Sequence, residues 1–344
     1  SVFMAYDMIP EVIEVNLQEP MWREKHHSII HACRYISISQ STANDLVKFY
    51  PQIAPDSIKI AYCGIPQEFS PASSAEVRAF KAKHKIKKKY LLLIGSRMSL
   101  DGYKNAILLF RALREFSGRD AIEIVCVGGE WNLEPELAAL AADIPVHLLR
   151  LDDEMLRVAL TGALALVYPS RYEGFGLPIA EAMACGCPVI TCRNSSIPEV
   201  AGDAAIYVDE DKIEDLVDAL SKVQNPELRQ LLIDRGFDRV QQFSWTKMAE
   251  IVANVLKTTA QEARSQHTTQ TAAIWQEFRK MQAQLQGLQS QPIFESQQQA
   301  TVMINADRPL SIEERISIAK SQLQQKQSQL SAADAKLEAV NADR

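Results

Sequence analysis

Residues 164–186 read LALVYPSRYEGFGLPIAEAMACG, an apolar run followed by a glycine-containing turn and a helix-length segment. The apolar run predicts a strand over Leu164–Tyr168. Pro178 suits the first turn of a helix over Leu177–Ala184, where its missing N–H costs nothing. Glycines let the backbone approach a ligand closely, and the free N–H groups at a helix start attract anions. The stretch therefore predicts a strand, a phosphate-holding turn and a helix.

Strand-length and helix-length segments alternate on both sides of this unit, which implies βαβ units and a parallel sheet covered on both faces. The fold class we expect is α/β, a doubly wound nucleotide-binding domain. The other predicted strands are Tyr90–Ile94, Ile122–Val127, Val146–Leu149, Val189–Thr191 and Ala205–Val208. The other predicted helices are Lys104–Glu115, Leu133–Ala142, Asp153–Thr161, Ile197–Val200, Ile213–Val223, Pro226–Phe243 and Trp245–Thr258.

The first 75 residues show only part of this pattern. Two or three strands bury too little surface for an independent doubly wound sheet. We therefore expect a partial N-terminal domain over 1–75, with its beginning missing, and a complete nucleotide-binding domain over 76–262. The segments read as strands are Val2–Tyr6, Arg34–Ile38 and Ile58–Ala61, and those read as helices are Glu24–Cys33 and Ser41–Phe49.

Composition changes near residue 262, after which Gln is abundant and strand signals vanish. Apolar residues then recur at the 4-3 and seven-residue spacings of coiled coils. Residues 263–344 therefore predict a helical coiled-coil tail that serves in homo-oligomerisation or as a spacer, with an intramolecular helical hairpin as the alternative. The apolar positions are Ile274, Phe278, Met281, Leu285, Leu288, Ile316, Leu323, Leu330 and Leu337.

Composition excludes several classes of protein. Apolar residues make up 47%, charged residues 23%, and the net charge is −6, as in ordinary globular proteins, so we expect no nucleic-acid partner. The apolar runs fall short of the roughly 18 to 20 residues that a membrane-spanning helix needs. Six cysteines look like reduced core residues of a cytoplasmic protein, and Cys185-Gly-Cys187 lacks the spacing of a zinc site, so we expect no metal.

A dense run of lysines precedes the strand at Tyr90. We interpret it as a solvated linker, because charge runs are usually exposed. The alternative is contact with anionic lipid, at about 1 kcal/mol per charge near the surface, which would place the protein at the inner face of the membrane. The residues are Lys81, Lys83, Lys85, Lys87, Lys88 and Lys89.

Two carboxylates flank the predicted turn, Glu173 before it and Glu181 one turn into the helix. A carboxylate beside a phosphate repels it, so these side chains suit hydrogen bonds from sugar or ribose hydroxyls. The alternative is that Glu173 caps the helix and Glu181 is a surface residue.

Glu173 and Glu181, separated by seven residues that include Gly174-Phe175-Gly176, closely resemble the signature of retaining GT-B glycosyltransferases of glycosyltransferase family four. The resemblance implies that Glu173 lies beside the donor sugar and that the Gly174-Phe175-Gly176 backbone contacts sugar and phosphate. It also implies that Glu181 binds the ribose hydroxyls of a nucleotide sugar.

Further segments carry the same resemblance over residues 2–258. Gly95-Ser96-Arg97, followed by Lys104, is similar to the family's Gly-x-Arg and Lys-Asn pair, which implies that Arg97 and Lys104 hold the donor diphosphate. With the helix start at Leu177 they would neutralise charge on the departing group. Tyr6 stands where many members have His, so no sugar-contacting imidazole is carried over, and Asp7 remains a candidate.

The resemblance implies a hexosyltransferase of polysaccharide biosynthesis, mannosyl or glucosyl, that acts on a UDP- or GDP-sugar and a saccharide or lipid-linked acceptor, without a metal or other cofactor. One alternative is a non-catalytic nucleotide-sugar-binding scaffold that assembles through its tail. Another is a different GT-B reaction, such as that of a phosphorylase or a sugar-nucleotide epimerase.

Overall fold

The computed structural model describes residues 1–13, 19–97 and 102–266, and beyond them single helical positions at 276, 279, 280, 283, 317, 321 and 324. The apolar positions of the predicted coiled coil lie outside the described residues, so the tail stays a prediction. The chain divides into two units, Ser1–Thr259 and Ala260–Arg344. The first unit contains both sheets and their helices, except for the end of the last helix, Trp245–Gln266.

A small parallel sheet opens the chain, with strand order β1-β2-β3. Its core includes the fully buried side chains of Met8, Ile29 and Leu46. The strands agree with the sequence prediction, whereas the short helix α1 was missed. The elements are β1 (Val2–Ala5), α1 (Ile9–Val12), α2 (Pro20–Ile30), β2 (Arg34–Ser37), α3 (Gln40–Phe49) and β3 (Ile58–Ile60).

The second sheet has six parallel strands in the order β6-β5-β4-β7-β8-β9. The predicted strands are confirmed to within one residue at each end. The strands are β4 (Lys89–Ile94), β5 (Ile122–Val127), β6 (Val146–Leu149), β7 (Ala165–Tyr168), β8 (Val189–Cys192) and β9 (Ala205–Val208). The helices are α4 (Ser74–Lys83), α5 (Ala106–Glu115), α6 (Pro135–Leu140), α7 (Asp153–Gly162), α8 (Leu177–Ala184), α9 (Ile197–Ala201), α10 (Ile213–Lys222), α11 (Pro226–Val240) and α12 (Trp245–Gln266).

Side chains of β4 alternate between two cores, one on each face of the sheet. Tyr90 and Leu92 join the core that also contains parts of the first sheet, while Leu91 and Leu93 join the core under α5 and α10. Such alternation follows from the period of two in a strand. The doubly wound architecture is confirmed. Strand order reverses between β4 and β7, and ligands of such sheets bind outside the carboxyl ends of the strands at this switch point.

The lysine run is exposed over most of its length, as interpreted, but its first half belongs to a helix that was not predicted, because Lys81 and Lys83 lie in the last turn of α4. Ser73 and Glu76 form a reciprocal capping box at the start of this helix. Buried Phe80 anchors the helix to the core. The capping box and the buried Phe80 therefore stabilise α4 despite the positive charges of the lysines at its end.

The chain returns to the first sheet at its last helix. Gly64 lies so close to α12 that a Cβ atom would stand 2.1 Å from the backbone nitrogen of Trp245. The rings of Tyr62, Phe175 and Phe243 pack together, with centroids 5.3 to 6.1 Å apart. These contacts tie the segment after β3 to the loop before α8 and to the start of α12.

Two sequence predictions concern membranes and cysteines. Within the described part of the chain, no helix combines the length and apolarity needed to cross a bilayer. Five cysteines are buried as predicted, but Cys33 is exposed. It lies just before β2, where its Sγ donates to the Ser1 carbonyl at 3.0 Å.

Candidate functional site

An ion pair lies at the carboxyl ends of β4 and β7. The ammonium of Lys104 donates to Glu173 Oε1 at 2.7 Å and to the Tyr168 hydroxyl at 2.9 Å. Both partners of the pair are largely enclosed, with 21% of the Lys104 side chain and 9% of the Glu173 side chain exposed. The rings of Tyr103 and Tyr168 flank the ammonium, with centroids 5.0 and 5.1 Å away. Two of the predicted site residues thus meet at the switch point.

The loop that carries Glu173 is fastened by two neighbouring serines. Glu173 N donates to Ser195 Oγ at 2.9 Å, and Ser196 Oγ contacts the carbonyls of Glu173 at 2.8 Å and Phe175 at 3.0 Å. Ser195 has a left-handed φ of +45°, which turns the loop after β8 toward Glu173. Sequence reasoning missed both serines, because nothing in their local pattern separates them from ordinary turn residues.

Helix α8 begins without a side-chain cap. Its N-cap is Gly176, whose φ is +97°, and among the described residues no side chain accepts a hydrogen bond from the first amides of the helix. The alternative in which Glu173 caps this helix is therefore wrong. Leu177 and Pro178 start the helix, and the side chain of Phe175 is buried against other aromatic rings. The backbone of this turn remains the part suited to an anion.

Gly174 makes the closest approach between this loop and the N-terminal segment. A Cβ atom on Gly174 would lie 2.1 Å from the Tyr6 carbonyl oxygen and 2.8 Å from Asp7 Cβ. Thr42 Oγ1 also donates to the Gly174 carbonyl at 3.2 Å. Lys25 Nζ donates to the Asp7 carbonyl at 3.2 Å, which holds that segment in place. Only glycine fits here, and Asp7 is thereby placed beside the candidate site.

Arg97 is buried, with 3% exposed, and its guanidinium holds a loop rather than the ion pair. It donates to the carbonyls of Gly95 at 3.1 Å, Gly128 at 2.9 Å and Glu130 at 2.6 Å. Its Nε atom is buried without a partner in the described structure. Gly95, at φ +110°, packs against the Lys104 side chain, where a Cβ would lie 3.7 Å from Cε. Gly95 therefore lies beside Lys104 in the site. The described hydrogen bonds of the Arg97 guanidinium go to loop carbonyls, and its expected contact with a donor diphosphate stays a prediction.

Glu181 lies on α8 and is half-buried, so it is not a fully exposed surface residue. Burial raises the pKa of its carboxyl to about 7, and the charge of Asp153 adds to the rise. Among the described residues no hydrogen bond to its carboxylate is found. A carboxylate of this kind suits ligand hydroxyls, which would supply the missing donors.

Part of the chain is similar to known glycosyltransferases. Residues 76–239 match the family model described as glycosyl transferases group 1. O-antigen chain mannosyltransferase B of Escherichia coli is 41% identical over 107 residues, which cover 30% of this chain and 28% of that protein. D-inositol 3-phosphate glycosyltransferase of Acidothermus cellulolyticus is 27% identical over 259 residues, which cover 70% of this chain and 57% of that protein. The chain spans less than two thirds of the length of these relatives.

Solved structures share the fold. WaaG, a glycosyltransferase involved in lipopolysaccharide biosynthesis, has a TM-score of 0.61 at 20% identity and covers 74% of each chain. HepE of Anabaena in complex with UDP and glucose has a TM-score of 0.63 at 16% identity, over 74% of this chain and 71% of HepE. Residues 76–239 are therefore similar to the glycosyl transferases group 1 family, and the chain has the GT-B fold.

Proposed function

We propose that this chain carries the donor site of a retaining glycosyltransferase that moves a hexose from a UDP- or GDP-sugar to a hydroxyl of a saccharide or lipid-linked acceptor. The observation that carries the proposal is the Lys104–Glu173 pair at the switch point, in front of the uncapped start of α8. A cation and a helix N-terminus suit a diphosphate, and the adjacent carboxylate suits sugar hydroxyls.

Each residue has a role in this proposal. Lys104 and the amides at Leu177 neutralise the charge that develops on the departing diphosphate, where electrostatic stabilisation contributes most. Glu173 accepts hydrogen bonds from the donor sugar, and Glu181 accepts them from the ribose. Arg97 holds the Gly95 and Gly128 carbonyls in place and adds positive charge at the end of β4.

The reaction we propose forms the bond between the acceptor oxygen and the anomeric carbon as the bond from that carbon to the diphosphate oxygen breaks. The acceptor proton passes to the departing diphosphate on the same face of the sugar, so configuration is retained. The similarity to a mannosyltransferase at 41% identity supports mannose as the sugar and a growing glycan as the acceptor.

Nucleotide binding tests the site. UDP and GDP are titrated into the chain by calorimetry, and the titrations are repeated with Lys104→Ala and Glu181→Ala. We expect at least one nucleotide to bind and each variant to lose about tenfold in affinity, because a charged hydrogen-bonding partner is removed. The matched control is Lys222→Ala, since Lys222 is an exposed lysine paired with Asp218 in α10. Unchanged affinity in both site variants would refute the assignment.

Turnover distinguishes the enzyme from the scaffold. UDP-sugars and GDP-sugars are incubated with the chain, and release of the nucleoside diphosphate is followed with and without glycan acceptors. Hydrolysis or transfer that disappears in Lys104→Ala supports a glycosyltransferase. Nucleotide binding without either reaction supports the non-catalytic alternative.

A further inference from the structure

The hydroxyl of Tyr168 lies beside both charges of the ion pair, although sequence reasoning treats this tyrosine only as the end of a buried strand. Tyr168 is the last residue of β7 and is 2% exposed. Its carbonyl accepts a hydrogen bond from Thr191 Oγ1 at 2.7 Å, which fixes its backbone to β8. The ring packs in the core, so the hydroxyl has little freedom to move.

The Tyr168 hydroxyl can serve both partners at once. It accepts from the Lys104 ammonium at 2.9 Å, and the same ammonium donates to Glu173 Oε1 at 2.7 Å, so the phenol and the carboxylate lie around one cation. Burial, followed by the negative charge of Glu173, raises the pKa of Tyr168 well above its ordinary value, so the group stays a neutral phenol. A phenol has one donor and also accepts, which matches the needs of a lysine and a carboxylate.

Donor binding requires a change of partner at Lys104. In the structure Glu173 neutralises the ammonium at 2.7 Å. A diphosphate that binds Lys104 has to replace that carboxylate as counterion. Glu173 would then keep a buried charge without its cation, which is costly unless another donor remains. Tyr168 is already in place to be that donor until sugar hydroxyls arrive.

We propose that Tyr168 is a positioning residue that holds Lys104 and Glu173 in place while the donor diphosphate replaces Glu173 as the partner of Lys104. This inference rests on the proposed function, because it assumes that Lys104 binds a diphosphate. Binding of the diphosphate to Lys104 itself releases Glu173. The carboxylate then becomes available for the donor sugar.

The neighbouring tyrosine provides a matched control. The ring of Tyr103 lies as close to the Lys104 ammonium as the ring of Tyr168 does, at 5.0 against 5.1 Å. Of the two tyrosine hydroxyls, only that of Tyr168 accepts a hydrogen bond from the ammonium among the described hydrogen bonds. Tyr168→Phe and Tyr103→Phe therefore remove the same atom from equivalent rings, and each leaves its cation–π contact intact.

The test measures UDP and GDP affinity by calorimetry for wild type and both phenylalanine variants. We expect Tyr168→Phe to lower nucleotide affinity about tenfold, as for a lost hydrogen bond to a charged group. The affinity of Tyr103→Phe should stay within about twofold of wild type. The effect of Tyr168→Phe should vanish in a Lys104→Met background, because the hydroxyl acts through Lys104. A merely structural role would give the same loss in both backgrounds.

Glu173→Gln gives an independent readout. The substitution removes the carboxylate charge that competes with the diphosphate for Lys104. We therefore expect the free nucleoside diphosphate to bind about threefold more tightly or better, because a competing ion pair is lost. Equal losses in the two phenylalanine variants, or weaker nucleotide binding by Glu173→Gln, would overturn the inference and leave the proposed function intact. Unchanged affinity in Lys104→Met, or a wild-type chain that binds neither nucleotide, would overturn both.

Discussion

The buried carboxyl of Glu181 should make the stability of the chain depend on pH, and Glu181→Gln should remove that dependence. Its pKa rises from 4.5 to about 7 on folding, first because of burial and then because of Asp153. A raised pKa means that the folded state binds more protons than the unfolded state between these two values. The free energy of unfolding therefore falls as pH rises through that window.

The magnitude follows from the size of the shift. At 1.36 kcal/mol per pKa unit, a rise from 4.5 to about 7 corresponds to about 3 kcal/mol of lost stability above pH 7. Glu181→Gln keeps the shape of the side chain but cannot ionise. The variant should therefore match wild type near pH 4 and exceed it by about 2 to 3 kcal/mol at pH 8.

Urea unfolding at pH 5, 6, 7 and 8, followed by tryptophan fluorescence, measures this difference. Glu250→Gln is the matched control, because Glu250 is an exposed carboxylate on α12 and its removal should change stability by about 0.5 kcal/mol or less at every pH. Parallel profiles for wild type and Glu181→Gln would refute the reasoning. If Glu181 also binds the ribose, Glu181→Gln should be more stable than wild type at pH 8 and should bind the nucleotide more weakly than wild type.

Three further substitutions test how the site is supported. Gly174→Ala places a Cβ 2.1 Å from the Tyr6 carbonyl oxygen, so we expect a loss of about 1 to 3 kcal/mol in urea unfolding from overpacking. Ser196→Ala removes hydrogen bonds to two carbonyls of the Glu173 loop, and we expect nucleotide affinity to fall about fivefold in calorimetry while unfolding changes by about 1 kcal/mol. Ser73→Ala removes the cap of α4 and should lower the free energy of unfolding by about 1 kcal/mol. Because α4 supplies none of the site residues, we expect nucleotide affinity to stay unchanged, and an affinity loss would contradict this expectation.

Local patterns were sufficient for the second sheet. Strands of a parallel sheet are rich in Val, Ile and Leu, and β5 and β6 follow this pattern apart from Glu123 and His147, so their bounds are predicted to the residue. The helix after Gly176 is also evident, because Pro178 and the glycine turn act within a few residues. The short helix α1 and the capped start of α4 were missed, because each depends on a few contacts that charge and periodicity do not reveal.

The sequence by itself determined the alternation of strands and helices, and the resemblance pointed to Lys104, Glu173 and Glu181. Only the tertiary structure decided how they are used. It paired Lys104 directly with Glu173 and with the Tyr168 hydroxyl, turned the Arg97 guanidinium toward loop carbonyls and buried Glu181 far enough to raise the pKa of its carboxyl. These outcomes depend on contacts between residues 28 to 69 positions apart, and on desolvation, which no local spacing encodes.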